Sequence, residues 1–137
     1  MSTDSIPERS VDWRMRVLVV EDDAAAAQSI ALLLRLAGHE AEVTADGASA
    51  VAAAEANPPD VVLLDIGLPG MDGWQLARRL RRLEGPKRPL LVALTGHGDE
   101  EDLRRSRKAG IDLHLTKPAD AARLEALLSR FRSVIAE

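Results

Sequence analysis

Between Arg16 and the C-terminus, a strand-length apolar run is followed five times by a segment whose apolar residues recur at helical spacing. The runs are Val17-Leu18-Val19-Val20, Ala41-Glu42-Val43-Thr44, Val61-Val62-Leu63-Leu64, Leu90-Leu91-Val92-Ala93-Leu94, and Ile111 to Thr116. Strict alternation of this kind predicts an α/β fold, a parallel sheet wrapped by helices. The first, third and fourth runs are continuously apolar, as strands buried on both faces must be, whereas the second and fifth mix polar with apolar residues, as edge strands can. Right-handed crossovers then give the strand order 2-1-3-4-5.

The intervening helices have recognisable faces and ends. The first starts near Asp23, turns Ile30, Leu33, Leu34 and Ala37 inward and stops at Gly38; the second is Ala-rich and closes at Asn57-Pro58-Pro59. The third follows Gly73, with Leu76, Leu80 and Leu83 inward and Arg78, Arg79, Arg81 and Arg82 toward water. The fourth opens on Asp99-Glu100-Glu101-Asp102 and offers the core little besides Leu103 and Ala109, so it is expected to be the least firmly docked. The last carries Leu124, Leu127, Leu128, Phe131 and Ile135 on one face.

A chain of 137 residues, nearly half of them apolar, suits one domain. Residues 1–14 lack periodicity and read as a flexible tail, leaving residues 15–137 as the domain. No apolar run nears the roughly 18 residues that span a bilayer, and the N-terminus is not signal-like, so a cytoplasmic protein without membrane contact is expected. The absence of cysteine excludes disulfides and thiol chemistry and restricts any metal to oxygen or imidazole ligands. Eighteen Lys and Arg against 22 Asp and Glu, with no Tyr and a single Phe, argue against direct nucleic-acid binding.

In a parallel sheet the residues just past the carboxyl ends of the strands meet along one rim, where ligands bind. Here those residues are Glu21-Asp22-Asp23, Asp65, Thr95 and Lys117. Carboxylates gathered this closely repel unless a cation sits among them, and an all-oxygen set suits Mg²⁺, which keeps water ligands and bridges to phosphate. Metal, ammonium and hydroxyl around a carboxylate are the parts that stabilise a transferring phosphoryl group, with Asp65 as the nucleophile. Taken singly, Asp22 and Asp65 would more simply be helix N-caps. It is the convergence of four strand ends that favours the chemical reading.

The motifs Val17-Leu18-Val19-Val20-Glu21-Asp22-Asp23, Asp65-Ile66-Gly67-Leu68-Pro69-Gly70-Met71-Asp72-Gly73, Ala93-Leu94-Thr95-Gly96 and Thr116-Lys117-Pro118 resemble, in order and spacing, the receiver domain of two-component response regulators. The resemblance covers about Arg16 to Val134. It implies a flavodoxin-like (βα)5 three-layer fold and phosphorylation of Asp65 by a histidine kinase or histidine phosphotransfer protein. It also implies Mg²⁺, with Mn²⁺ as a substitute, on Asp22, Asp65 and the Gly67 carbonyl, with Glu21 acting through water. Thr95 and Lys117 would contact the phosphoryl group, and Lys117-Pro118 would be cis. The readout would be a shift of the strand 5 and helix 4 surface toward a downstream protein, in a monomer or a weak phosphorylation-dependent dimer.

Two sets of positions depart from the commoner pattern. The switch position three before Lys117, usually a large aromatic, is His114, for which a polar residue on the open side of an edge strand is an equally good account. The positions two after Asp65 and Thr95, which tune dephosphorylation in the family, are Gly67 and His97. Competing readings are a receiver module of a hybrid histidine kinase and, in another class, a haloacid-dehalogenase-like phosphatase, which would need an acid where Gly67 stands. Because the sequence stops after its fifth helix, no attached output domain is expected, and the chain itself is expected to be a phosphoacceptor rather than an enzyme.

Overall fold

The computed structural model describes residues 14–68, 70–85, 88–96 and 100–136, with side chains described through residue 131. Five strands, β1 (Arg16–Val20), β2 (Glu40–Thr44), β3 (Val61–Asp65), β4 (Leu90–Thr95) and β5 (Leu113–Thr116), alternate with five helices. These are α1 (Ala24–Leu36), α2 (Gly47–Ala56), α3 (Gly73–Arg82), α4 (Glu100–Ala109) and α5 (Ala121–Ala136). All strand pairs are parallel and the sheet order is β2-β1-β3-β4-β5, as side-chain polarity alone had indicated.

Period-two alternation along the three central strands divides the interior into two apolar layers. Leu18, Val20, Val62, Leu64, Leu91 and Ala93 face α2, α3 and α4, where they meet Ala50, Val51, Ala54, Leu76, Ala77, Leu80 and Ala109. Val17, Val19, Val61, Leu63, Val92 and Leu94 face Ile30 and Leu34 of α1 and Leu124, Leu127 and Leu128 of α5. A fully buried Leu or Val contributes about 1.5–3 kcal/mol, so these strands hold the rim above them on a stiff base.

Four expectations need correction. Ala37 is exposed because it is the C-cap of α1; Ala27 and Ala31 fill that face instead, and the chain leaves through Gly38 at φ +95°. Leu83 likewise caps α3 and is only half-buried, while Trp74 is buried in the first turn of that helix. Arg81 does not face water: it donates to the Gly110 and Pro89 carbonyls at 3.0 and 2.7 Å and to Asp112 Oδ2 at 2.6 Å. β5 begins at Leu113 rather than Ile111, since the Ile111 N–H closes α4 on the Ser106 carbonyl instead of joining the sheet. The proposed tail through Trp13 and the inward placement of Ile135 lie outside what is described.

Candidate functional site

The three acids after β1 divide three ways. Glu21 continues the strand line, its N–H on the Thr44 carbonyl at 3.0 Å, and its side chain turns inward to 2% exposure. Asp23 is the N-cap of α1, its Oδ1 accepting from the Ala25 and Ala26 amides, while its own N–H donates to Glu21 Oε2 at 3.2 Å. Asp22 stays exposed on the rim. On the other side of the cleft Asp72, not Asp65, caps α3, in a reciprocal capping box with Gln75. Helix capping, the simple account of Asp22 and Asp65, is therefore done by their neighbours.

Asp65 ends β3, paired with Leu94 and nearly buried. Its Oδ1 accepts from the Gly67 N–H at 3.0 Å, and its Oδ2 lies 3.1 Å from the Lys117 ammonium. The loop that follows is drawn tight against it: the Gly73 N–H donates to the Ile66 carbonyl at 2.9 Å, and a Cβ on Gly73 would stand 2.8 Å from the Asp65 carbonyl oxygen. Only glycine permits that approach. Thr95, buried at the end of β4, is in register with Thr116, and the Lys117 N–H donates to the Thr95 carbonyl at 2.8 Å. The Lys117-Pro118 bond is cis, as expected.

Glu21, Asp22 and Asp65 each present a carboxylate oxygen within 4.8 Å of the others. Lys117 lies 3.1 Å from Glu21 Oε1, a buried oxygen with no other partner among the described residues. Burial raises the Glu21 pKa above its ordinary value, and the Asp65 charge adds to the rise, against the pull of the Asp23 amide and of Lys117. Burial works against the Lys117 charge, but hydrogen bonds to Asp65 and Glu21 prevail and raise its pKa. One ammonium among three carboxylates leaves two formal negative charges, and one buried oxygen lacks a full shell. This donor set fits a hard divalent cation with oxygen ligands.

Glu21, Asp22, Asp65 and Lys117 are thus brought together, with Thr95 tied alongside through the Lys117 amide. Gly67 is exposed at the rim beside Asp65, and His97 lies outside the described residues. His114 is not on the rim and is not on an open edge either: it is half-buried, its Nε2 2.7 Å from Ser106 Oγ on α4. Ser106, fully buried, also accepts from Trp74 Nε1 at 2.9 Å, and the Arg105 guanidinium stacks 3.8 Å from the Trp74 ring centre. Sequence reasoning passed over Ser106 and Trp74. The available signal was the spacing of Ser106, three residues from both Leu103 and Ala109 on the inward face of α4.

The family described as the response regulator receiver domain matches residues 17–129. The chain is 33% identical over 120 residues to the DNA-binding dual master transcriptional regulator RpaA of Synechocystis, which takes in 88% of this chain and 48% of that protein. It is 38% identical over 119 residues to the sensory transduction protein RegX3 of Mycolicibacterium smegmatis, 87% of this chain and 50% of that one. It thus spans about half the length of these curated relatives, and the DNA-binding name gives no support to an absence of nucleic-acid contact. Among solved structures, the Vibrio cholerae chemotaxis protein CheY4 superposes with a TM-score of 0.82 at 29% identity, covering 86% of this chain and 98% of that one. The receiver domain of the Pseudomonas aeruginosa sensor histidine kinase PA1611, described with magnesium coordinated in its active-site cleft, gives 0.79 at 32% identity, covering 88% and 98%. With its strand order and the carboxylates, hydroxyl and ammonium at its strand ends, this chain belongs to the receiver-domain family of two-component response regulators.

Proposed function

We propose that this receiver domain is switched by transfer of a phosphoryl group to Asp65 from a phosphohistidine on a kinase or histidine phosphotransfer protein. A carboxylate oxygen of Asp65 attacks phosphorus and forms the O–P bond of an acyl phosphate. The P–N bond breaks, and its electron pair stays on the departing imidazole nitrogen. Lys117, already 3.1 Å from Asp65 Oδ2, neutralises charge on the phosphoryl oxygens, and Thr95, at the end of the neighbouring strand β4, supplies a hydroxyl to one of them. Asp22, Asp65 and the Gly67 carbonyl would hold Mg²⁺ or Mn²⁺, with Glu21 engaged through water. When bound, the cation would supply charge neutralisation for the phosphoryl oxygens.

The observation that carries this reading is the packing of three carboxylates within 4.8 Å beside a lysine bonded to two of them, when neighbouring aspartates already cap the helices. The phosphatase alternative is set aside, since Gly67 offers no second acid and the family is different. The magnesium described for the PA1611 receiver supports the choice of cation. Among the described residues no helix is long and apolar enough to cross a membrane. Incubation with Mg²⁺ and acetyl phosphate, followed by intact-mass measurement, tests the assignment: wild type should gain one phosphoryl mass and Asp65→Asn none. An adduct that survives the substitution places the acceptor elsewhere.

A further inference from the structure

Helix α4 buries only two residues, Ser106 and Ala109. Apolar burial therefore does little to dock it, and the Ser106 hydroxyl bears an unusual share. Its two partners sit on the two chain segments that leave the site. Trp74 directly follows Gly73, whose amide is bonded to the Ile66 carbonyl and where an added Cβ would stand 2.8 Å from the Asp65 carbonyl oxygen. His114 lies on β5, in register with Ala93 and three residues before Lys117, which contacts Asp65. An indole N–H can only donate, so Ser106 Oγ accepts from Trp74 at 2.9 Å; the same oxygen shares a 2.7 Å hydrogen bond with His114 Nε2, whose direction follows the imidazole tautomer. With Nε2 as the acceptor, each group is used once, in a relay running Trp74 to Ser106 to His114.

We propose that Ser106 is the positioning residue of the switch: its hydroxyl fixes the His114 ring and the head of α3 at once, so that α4 follows the loop after Asp65 and the end of β5 together. The usual arrangement in this family couples through the bulk of an aromatic side chain; this chain couples through a shared hydrogen bond, and Ser106 and Trp74 are as necessary to it as His114. The inference rests on Asp65 being the phosphoryl acceptor. A buried relay polarises along its length, so a displacement at either end is felt at the other.

The test uses the full chain with Trp13→Phe, leaving Trp74 as its one tryptophan. Trp74 indole and His114 imidazole nitrogen resonances, with α4 amide exchange, are followed before and after treatment with acetyl phosphate and Mg²⁺, while intact mass reports loading. Before treatment, His114 Nε2 should read as an unprotonated acceptor. After loading, both resonances should shift together and α4 exchange should change. Ser106→Ala should still load Asp65, but α4 amides should exchange about tenfold faster at rest and the loading-dependent shift of His114 should be lost. Trp74→Phe, which keeps an aromatic side chain and removes the donor, should likewise uncouple the α3 end. A protonated Nε2 at rest, or a loaded Ser106→Ala protein whose α4 responds as wild type does, overturns the relay while leaving the acceptor intact. Absence of the mass adduct in wild type overturns the Asp65 assignment, and the relay's role in signalling with it.

Discussion

Lys117 Nζ stands 3.1 Å from Glu21 Oε1, and the same ammonium stands 3.1 Å from Asp65 Oδ2, so one lysine bridges a strand end on each side of the cleft. It fills part of the role of a cation without satisfying the acids. The raised pKa of Glu21 expresses this: even with Lys117 in contact, burial leaves the neutral carboxyl favoured relative to water.

A stability prediction with an inverted sign follows from Glu21. Because its pKa is raised above the ordinary 4.5, the folded state holds that proton more tightly than the unfolded chain does. Folding loses stability as pH rises from 4.5 through the folded value. Glu21→Gln should therefore melt about 1–3 °C higher than wild type at pH 7 without divalent metal. With Mg²⁺ the order should narrow or reverse, since binding to the native state stabilises wild type more. Thermal melts with and without Mg²⁺ measure both; a metal-free variant melting below wild type rejects the account.

Gly73 makes a steric prediction. An added Cβ would lie 2.7 Å from the Ile66 Cα and 2.8 Å from the Asp65 carbonyl oxygen, and both neighbours are backbone that cannot rotate away. Gly73→Ala should cost about 1–3 kcal/mol in denaturant unfolding and should slow acetyl-phosphate loading of Asp65 by moving the loop that carries Gly67. Loading at the wild-type rate in a destabilised protein would separate the loop from the chemistry.

The strand order and the rim residues were legible because each depends on a local property repeated along the chain: polarity for the order, and the last residue of each strand for the rim. What escaped depends on contacts between distant segments. Arg81 looks like one arginine in a water-facing run, yet it lies across from Asp112, 31 residues away, where the turn after α4 passes under it. Asp22 and Asp23 are indistinguishable as letters, and only the cap geometry at Ala25 and Ala26 tells which one is spent on the helix. Ser106 and His114 gave weak signals separately, and only folding brings them within 2.7 Å.

Arg81 and Asp112 make a prediction about the fold beneath the site. Arg81 is largely buried and uses its guanidinium on two carbonyls and a carboxylate, while Asp112 also accepts from the Leu91 amide on β4 at 2.9 Å. The pair joins α3, the start of β4 and the turn leading to β5. Arg81→Met should destabilise by about 2–3 kcal/mol, since it takes the donors from two carbonyls and leaves Asp112 only the Leu91 amide and the exposed Arg88. Arg81→Met with Asp112→Asn should recover part of that loss. A double-mutant cycle in urea measures the coupling, and additive losses would show the two to be independent.

His114 sets the sign of the acid response. Burial holds its imidazole pKa below the ordinary 6.5; the Asp102 charge pulls it up and Arg107 down, and Arg123 and Arg130 of α5 line the groove that His114 also lines. The unfolded chain therefore binds a proton more readily than the folded one between the folded value and 6.5. The contribution is fully present above pH 6.5 and is lost as pH falls through the folded pKa. In the proposed relay protonation also gives Nε2 a hydrogen where the Ser106 proton points, so the relay must reverse or open. Wild type should lose stability on acidification below pH 6.5 more steeply than His114→Phe, which has no proton to take up. The same acidification should speed amide exchange in α4 before it does so in α1. Melts from pH 5 to 8 on both proteins measure the difference in slope; parallel curves would mean that His114 titrates as it does in water, and that the imidazole is not held by Ser106.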